Sequence, residues 1–88
     1  MKIKIAHVRN NAMGWNIDVN VEAGDQQQIS QVTVKVNGVP VVDDSPEEDL
    51  DSWEKQLLQQ GVFPGDNKVE VLVTDQSGKE SRAKQEWS

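Results

Sequence analysis

Asp43-Asp44-Ser45-Pro46-Glu47-Glu48-Asp49-Leu50-Asp51-Ser52-Trp53-Glu54-Lys55-Gln56-Leu57-Leu58-Gln59-Gln60-Gly61 is the stretch on which the fold turns. It breaks a chain that otherwise alternates polar and apolar residues. Ser45, Pro46 and Glu48 suit the N-cap, N1 and N3 positions of a helix, with the Ser–Glu spacing of a capping box. The acids around them lie where a helix dipole favours negative charge. Leu50, Trp53, Leu57 and Leu58 fall at i, i+3, i+7 and i+8, a helical apolar stripe. Gly61 suits the C′ position, with Val62 packing back on Leu57. The reading predicts a helix over about residues 46–60, roughly 22 Å long at about 1.5 Å per residue.

The same stretch concentrates the charge. Asp43, Asp44, Glu47, Glu48, Asp49, Asp51 and Glu54 are seven of the fifteen carboxylates, in a window without Lys or Arg. That window carries −7 against −6 for the whole chain, so the remainder is close to neutral. Capping and the dipole account for Ser45, Pro46, Glu47, Glu48 and Asp49. Asp43, Asp44, Asp51 and Glu54 are left over, and they are the candidate partner-binding residues.

Outward from this segment the chain reads as strands. Before it, Trp15, Ile17, Val19 and Val21 alternate with Asn16, Asp18, Asn20 and Glu22, giving one buried and one wet face. In the first strand, about Lys2 to Arg9, Ile3 and Ile5 share one face and Ala6 and Val8 the other, a phase slip that predicts a bulge or a strand passing from one sheet to the other. Asn10, Asn11 and Gly14 supply the turn that follows. Val32, Val34 and Val36 lead into Asn37-Gly38, a type I′ hairpin signal. A two-residue turn there pairs Val36 with Val39 and Val34 with Val41, all on one face, and Pro40 makes the fourth strand an edge. After the turn Pro64-Gly65-Asp66-Asn67, Val69, Val71 and Val73 form a fifth strand, with Leu72 on its other face. Residues 79–87 form a sixth, charged and edge-like, with Ala83 and Trp87 inward.

Six strands at about 4.8 Å spacing make a sheet nearly 30 Å wide, and one helix covers about 10–12 Å of it. The expected architecture is therefore mainly β: an antiparallel sandwich of about six strands, with the helix inserted between the fourth and fifth. A single curled sheet around the helix is the competing arrangement.

Composition narrows the function. At 88 residues, 35% hydrophobic and 27% charged, the chain is one domain with a thin core. It has no cysteine, so disulfide and thiolate chemistry are excluded. Lys2-Ile3-Lys4-Ile5 has no apolar run of the signal-peptide type, and no stretch approaches the ~20 apolar residues of a membrane helix. Net negative charge without clustered Lys and Arg argues against nucleic acid. His7 is the one histidine, so catalysis by a Cys–His pair is excluded and a Ser–His–Asp triad would need His7. No catalytic residues are assigned. Asp43, Asp44, Asp49 and Asp51 are oxygen donors of the kind Ca²⁺ accepts, but they lack the spacing and glycine of an EF-hand loop, and no cofactor or metal is assigned. Trp15, Trp53 and Trp87 occupy inward positions and read as core, not as sugar-stacking platforms.

The closing hairpin Val69-Glu70-Val71-Leu72-Val73-Thr74-Asp75-Gln76-Ser77-Gly78, with its polar return strand, resembles the last two strands of bacterial immunoglobulin-like and fibronectin type III-like domains. The chain departs from them in lacking a Cys pair and a Trp in the third strand, and in the expected helix. The resemblance implies one immunoglobulin-like domain over residues 1–88. It implies a non-catalytic structural or protein-interaction module, an accessory part of a larger secreted or surface protein. The alternative is a free-standing acidic regulator that binds a basic partner protein through residues 43–54. An excised module would be extracellular and a complete protein cytoplasmic.

Overall fold

Seven strands pair into two antiparallel sheets in the computed structural model, which describes residues 1–10, 14–25, 27–60 and 67–87. The strands are β1 (Lys2–Asn10), β2 (Gly14–Glu22), β3 (Ile29–Val36), β4 (Val39–Asp44), β5 (Ser52–Gln60), β6 (Asn67–Asp75) and β7 (Glu80–Trp87). One sheet has the order β1-β2-β5 and the other β4-β3-β6-β7. The inward valines and isoleucines of both sheets make one core: Ile17, Val19 and Val21 from one side, and Ile29, Val32, Val34, Val69, Val71 and Val73 from the other. This is a sandwich-like all-β fold.

The predicted helix over residues 46–60 is not there. Residues 45–51 cross between the sheets, and Ser52–Gln60 is a strand in nine-residue register with β2, from Glu22↔Ser52 to Gly14↔Gln60. Two physical reasons explain the error. Trp53 and Leu57 stand four residues apart, a spacing that shares a face in a helix and in a strand alike. As a strand, they place Trp53 beside Val21 and Leu57 beside Ile17. Moreover, β2 pairs with β1 along one edge, and β5 completes a nine-residue antiparallel ladder along the other. Tertiary pairing thus overrides a local capping signal. Leu50 joins by an isolated bridge to Ile29, with Leu50 N donating to Ile29 O (3.0 Å) and Ile29 N to Leu50 O (2.7 Å).

The first strand shows no phase slip. β1 pairs with β2 in continuous register from Lys2↔Glu22 to Asn10↔Gly14. Ile3, Ile5 and His7 face inward, while Val8 is 62% exposed. The slip occurs in β4 instead. Val36 faces Val39 and Lys35 faces Pro40 as expected, but a bulge sets Val34 opposite Val42 and leaves Val41 50% exposed. The turn itself is as predicted, with Asn37 at φ 50° and Gly38 at φ 82°. Gly61, Val62, Pro64, Gly65, Asp66 and Asn11 lie outside the described residues.

The β6–β7 turn is built on one carboxylate. Asp75, buried, accepts from Ser77 Oγ (2.6 Å), Ser77 N (2.9 Å) and Lys79 N (3.0 Å) through Oδ1. Gly78, at φ 88°, completes the reversal. The Ser77 hydroxyl, then the Lys79 and Ser77 amides, outweigh desolvation and hold the Asp75 carboxyl below the ordinary value of 3.8. A group whose folded pKa is depressed stabilises the fold above its unfolded pKa and loses that stabilisation as pH falls through the folded one. Asp75→Asn should therefore lower the melting temperature at neutral pH, and the difference from the parent should shrink as the pH falls below the ordinary Asp value. A gap that stays constant from pH 7 to pH 2 would mean that the charge of Asp75 is not what orders the turn.

Candidate functional site

Each predicted partner-binding residue has a definite place. Asp43 and Asp44 end β4, Asp51 precedes β5, and Glu54 lies on β5 opposite Asn20. Asp43 pairs with Thr33 on the outer face of the four-stranded sheet, where Gln31 Nε2 donates to its Oδ1 (2.9 Å). Asp44, one residue on, points inward, and Trp53 Nε1 donates to its Oδ2 (2.8 Å). That bond ties the edge of one sheet to the edge of the other. Gln28 Nε2 donates to Asp51 Oδ1 (3.3 Å). Glu54 is exposed on the outer face of the three-stranded sheet.

The four carboxylates therefore do not converge. Asp43 and Glu54 lie on opposite outer faces of two sheets that pack about 10 Å apart. Among the described residues no three His, Asp or Glu side chains come close enough together to hold a metal ion. The acids share an end of the molecule instead. The end of β2, the start of β3, the 45–51 crossover and the β6–β7 turn meet there, through Ala23 N to Asp51 O (2.9 Å) and Gln76 N to Gln28 O (3.1 Å). Glu22, Asp25, Glu47, Glu48, Asp49 and Asp51 gather at this end, around a polar groove lined by Asp25, Gln27, Gln28, Asp51 and Gln76. Opposing cations there are the terminal amine, which donates to Gln27 Oε1 (3.1 Å), Lys2 and Lys79.

Sequence reasoning missed two features. The first is the closure of the sandwich on one side. β1 packs against β7, where the His7 ring stacks on Trp87 (centroids 4.3 Å apart, planes 8° from parallel). Trp15 meets both edge-on, at 5.5 Å and 5.6 Å. His7 Nδ1 lies 2.9 Å from Gln85 Oε1, within hydrogen-bond distance. Reading Ile3, Ile5 and His7 as one inward set, with a Trp near the C-terminus as partner, was the available signal. The second feature is an asymmetry. β4 and β5, the edges on the opposite side, do not pack on one another as β1 and β7 do.

The outer face of the four-stranded sheet carries a mixed-charge groove lined by Thr33, Lys35, Glu70, Leu72, Arg82 and Lys84. Lys68 Nζ sits 3.1 Å from Glu70 Oε1 and, as the main cause, lowers the Glu70 pKa, with help from Lys35 and Lys84. These are solvated pairs that contribute little to stability.

No protein-family model matches the chain, and neither does any curated protein.

Proposed function

We propose that the chain is a non-catalytic immunoglobulin-like module, of the fibronectin type III-like kind, that serves in structure or protein interaction. The observation that carries this reading is the strand order. In such domains the first, second and fifth strands form one sheet, and the remaining four form the other with the third and sixth at its centre. The orders β1-β2-β5 and β4-β3-β6-β7 follow that scheme. The state of His7 supports a non-catalytic role, since Trp87, Trp15 and Gln85 occupy its ring and its Nδ1.

A second observation favours a particular kind of partner. Residues 22–25 and 43–51 bring most of the acid to one end, and a surface of one sign steers oppositely charged proteins onto it. We take the partner to be a Lys/Arg-rich protein segment, the same chemistry that a free-standing acidic regulator would use. Titrating ¹⁵N-labelled protein with decalysine tests this. The expected result is amide shifts confined to residues 22–28, 43–54 and 75–79 in low salt, lost at about 0.5 M salt as screening shortens the reach of exposed charges. No shifts at low salt would remove the basic-partner reading and leave a spacer.

A further inference from the structure

Of the four edge strands, three are blunted by more than charge. β4 is six residues long, carries Pro40 and bulges at Val41. β1 and β7 close on each other through His7 and Trp87, and β7 presents Arg82, Lys84 and Glu86 outward. Charge, proline, bulges and short length are the usual guards against edge pairing. β5 is different. It runs nine residues without Pro, Gly or bulge, in unbroken register with β2, and its far edge has no strand beside it among the described residues.

Beside that edge, apolar side chains stay partly exposed among the described residues. The Trp53–Asp44 bond fixes the level of β5 against β4. Further along, the inward positions are Val42 and Val39 on β4, on either side of the bulge, and Lys55 and Leu57 on β5. Val39 is paired with inward-facing Val36 and yet is 60% exposed, while Val42 and Leu57 are half-buried. An apolar seam thus runs between β4 and β5, capped at the acidic end by Asp44 and Trp53. Lys55 holds an inward register position, opposite buried Val19, and is itself exposed.

We propose that β5 is a strand-addition site, which takes one extended peptide of a partner protein as a fourth, antiparallel strand of the β1-β2-β5 sheet. The register specifies the chemistry of that strand. The residue facing Leu57 is apolar and fills the seam beside it. The residue facing Lys55 is Asp or Glu, and the one facing Glu54, on the outer face, is Lys or Arg. The one facing Trp53 is small, because the indole bond to Asp44 already closes the seam there. Main-chain bonds supply affinity and these cross-strand pairs supply choice. Lys55 in particular rejects a uniformly apolar strand. The proposal rests on the interaction reading above and locates it at an edge instead of at the acidic end.

The test uses the whole chain and a capped nine-residue peptide reading Val-x-Asp-Lys at its centre, so that these residues face Leu57, Lys55 and Glu54. Expected are amide shifts and slowed hydrogen exchange across residues 52–60. Lys55→Glu should weaken binding at least tenfold, and a peptide with Lys in place of its Asp should restore it. Methylating the peptide's alternate backbone nitrogens should abolish binding. Three results would overturn the proposal: no binding at millimolar peptide, affinity indifferent to Lys55→Glu in a variant that melts like the parent, or light scattering that shows β5 already occupied by a second copy. Shifts confined to residues 22–28 and 43–51 would also sink strand addition while upholding recognition by the acidic end.

Discussion

Trp53→Ala should cost about 3–5 kcal/mol, the range for truncating a large buried aromatic and leaving a cavity. Trp53 is 8% exposed and is the largest side chain of the core, packed beside Val21 where the β4–β5 crossover enters the sheet. Its loss removes the ring and the inter-sheet bond to Asp44 together. Asp44→Ala removes the bond alone and should cost about 0.5–1.5 kcal/mol, the usual net value of a hydrogen bond. Urea unfolding of the two variants separates packing from hydrogen bonding. A domain of this size has only about 4–13 kcal/mol in total, so the tryptophan variant should sit near the threshold of folding. A cost below 1 kcal/mol would place the indole in water and refute the inward face of β5.

The second large effect lies in β2. Ile17→Ala should cost about 2–5 kcal/mol, since the side chain is fully buried in the middle of the central strand, between His7 on β1 and Leu57 on β5. Val8→Ala, on the same sheet, should change stability by no more than about 0.5 kcal/mol, because Val8 faces solvent. The pair tests the register of β1 directly. Were the strand to slip midway, as Ala6 and Val8 suggest in the sequence, Val8 would be the sensitive residue and His7 the exposed one. Equal costs would reject the continuous β1–β2 register.

These residues also show what was legible in the chain and what was not. The alternation of Trp15 to Val21 and of Val69 to Val73 could be read at sight, because each strand buries one face and the neighbours on both sides enforce the same period. Asn37-Gly38 declared its turn through backbone sterics alone, and Pro40 declared an edge through its missing donor. What escaped depends on partners distant in sequence. The bulge at Val41 is set by how β4 leaves the hairpin, and His7 is inward only because Trp87 waits at the other end of the chain. β5 was hidden more deeply. Its spacing of Trp53 and Leu57 satisfies two periodicities, and Ser45-Pro46-Glu47-Glu48 supplies a helix start that the fold uses as a crossover between sheets. Only the ladder with β2 decides between them.

The candidate site was legible in part. That the acid of residues 43–54 is concentrated and free of cations is a fact of the sequence, and the structure leaves much of it at one exposed end. Its division was not legible. Asp43 bonds to Gln31 across the β3–β4 hairpin, Asp51 to Gln28 where loops meet, and Asp44 to Trp53 between the two sheets, contacts that exist only once the strands have paired. The open seam beside β5 could not be seen either while the segment read as a helix, since a helix has no edge to offer.

The sheet order, the core and the proposed docking edge all require residues 52–60 to be a strand. Backbone NMR of the intact chain decides the matter. Upfield Cα shifts are expected throughout 52–60, with cross-strand NOEs from Trp53 to Val21 and from Leu57 to Ile17. Downfield Cα shifts and consecutive amide–amide NOEs through 46–60 would show a helix and contradict the strand.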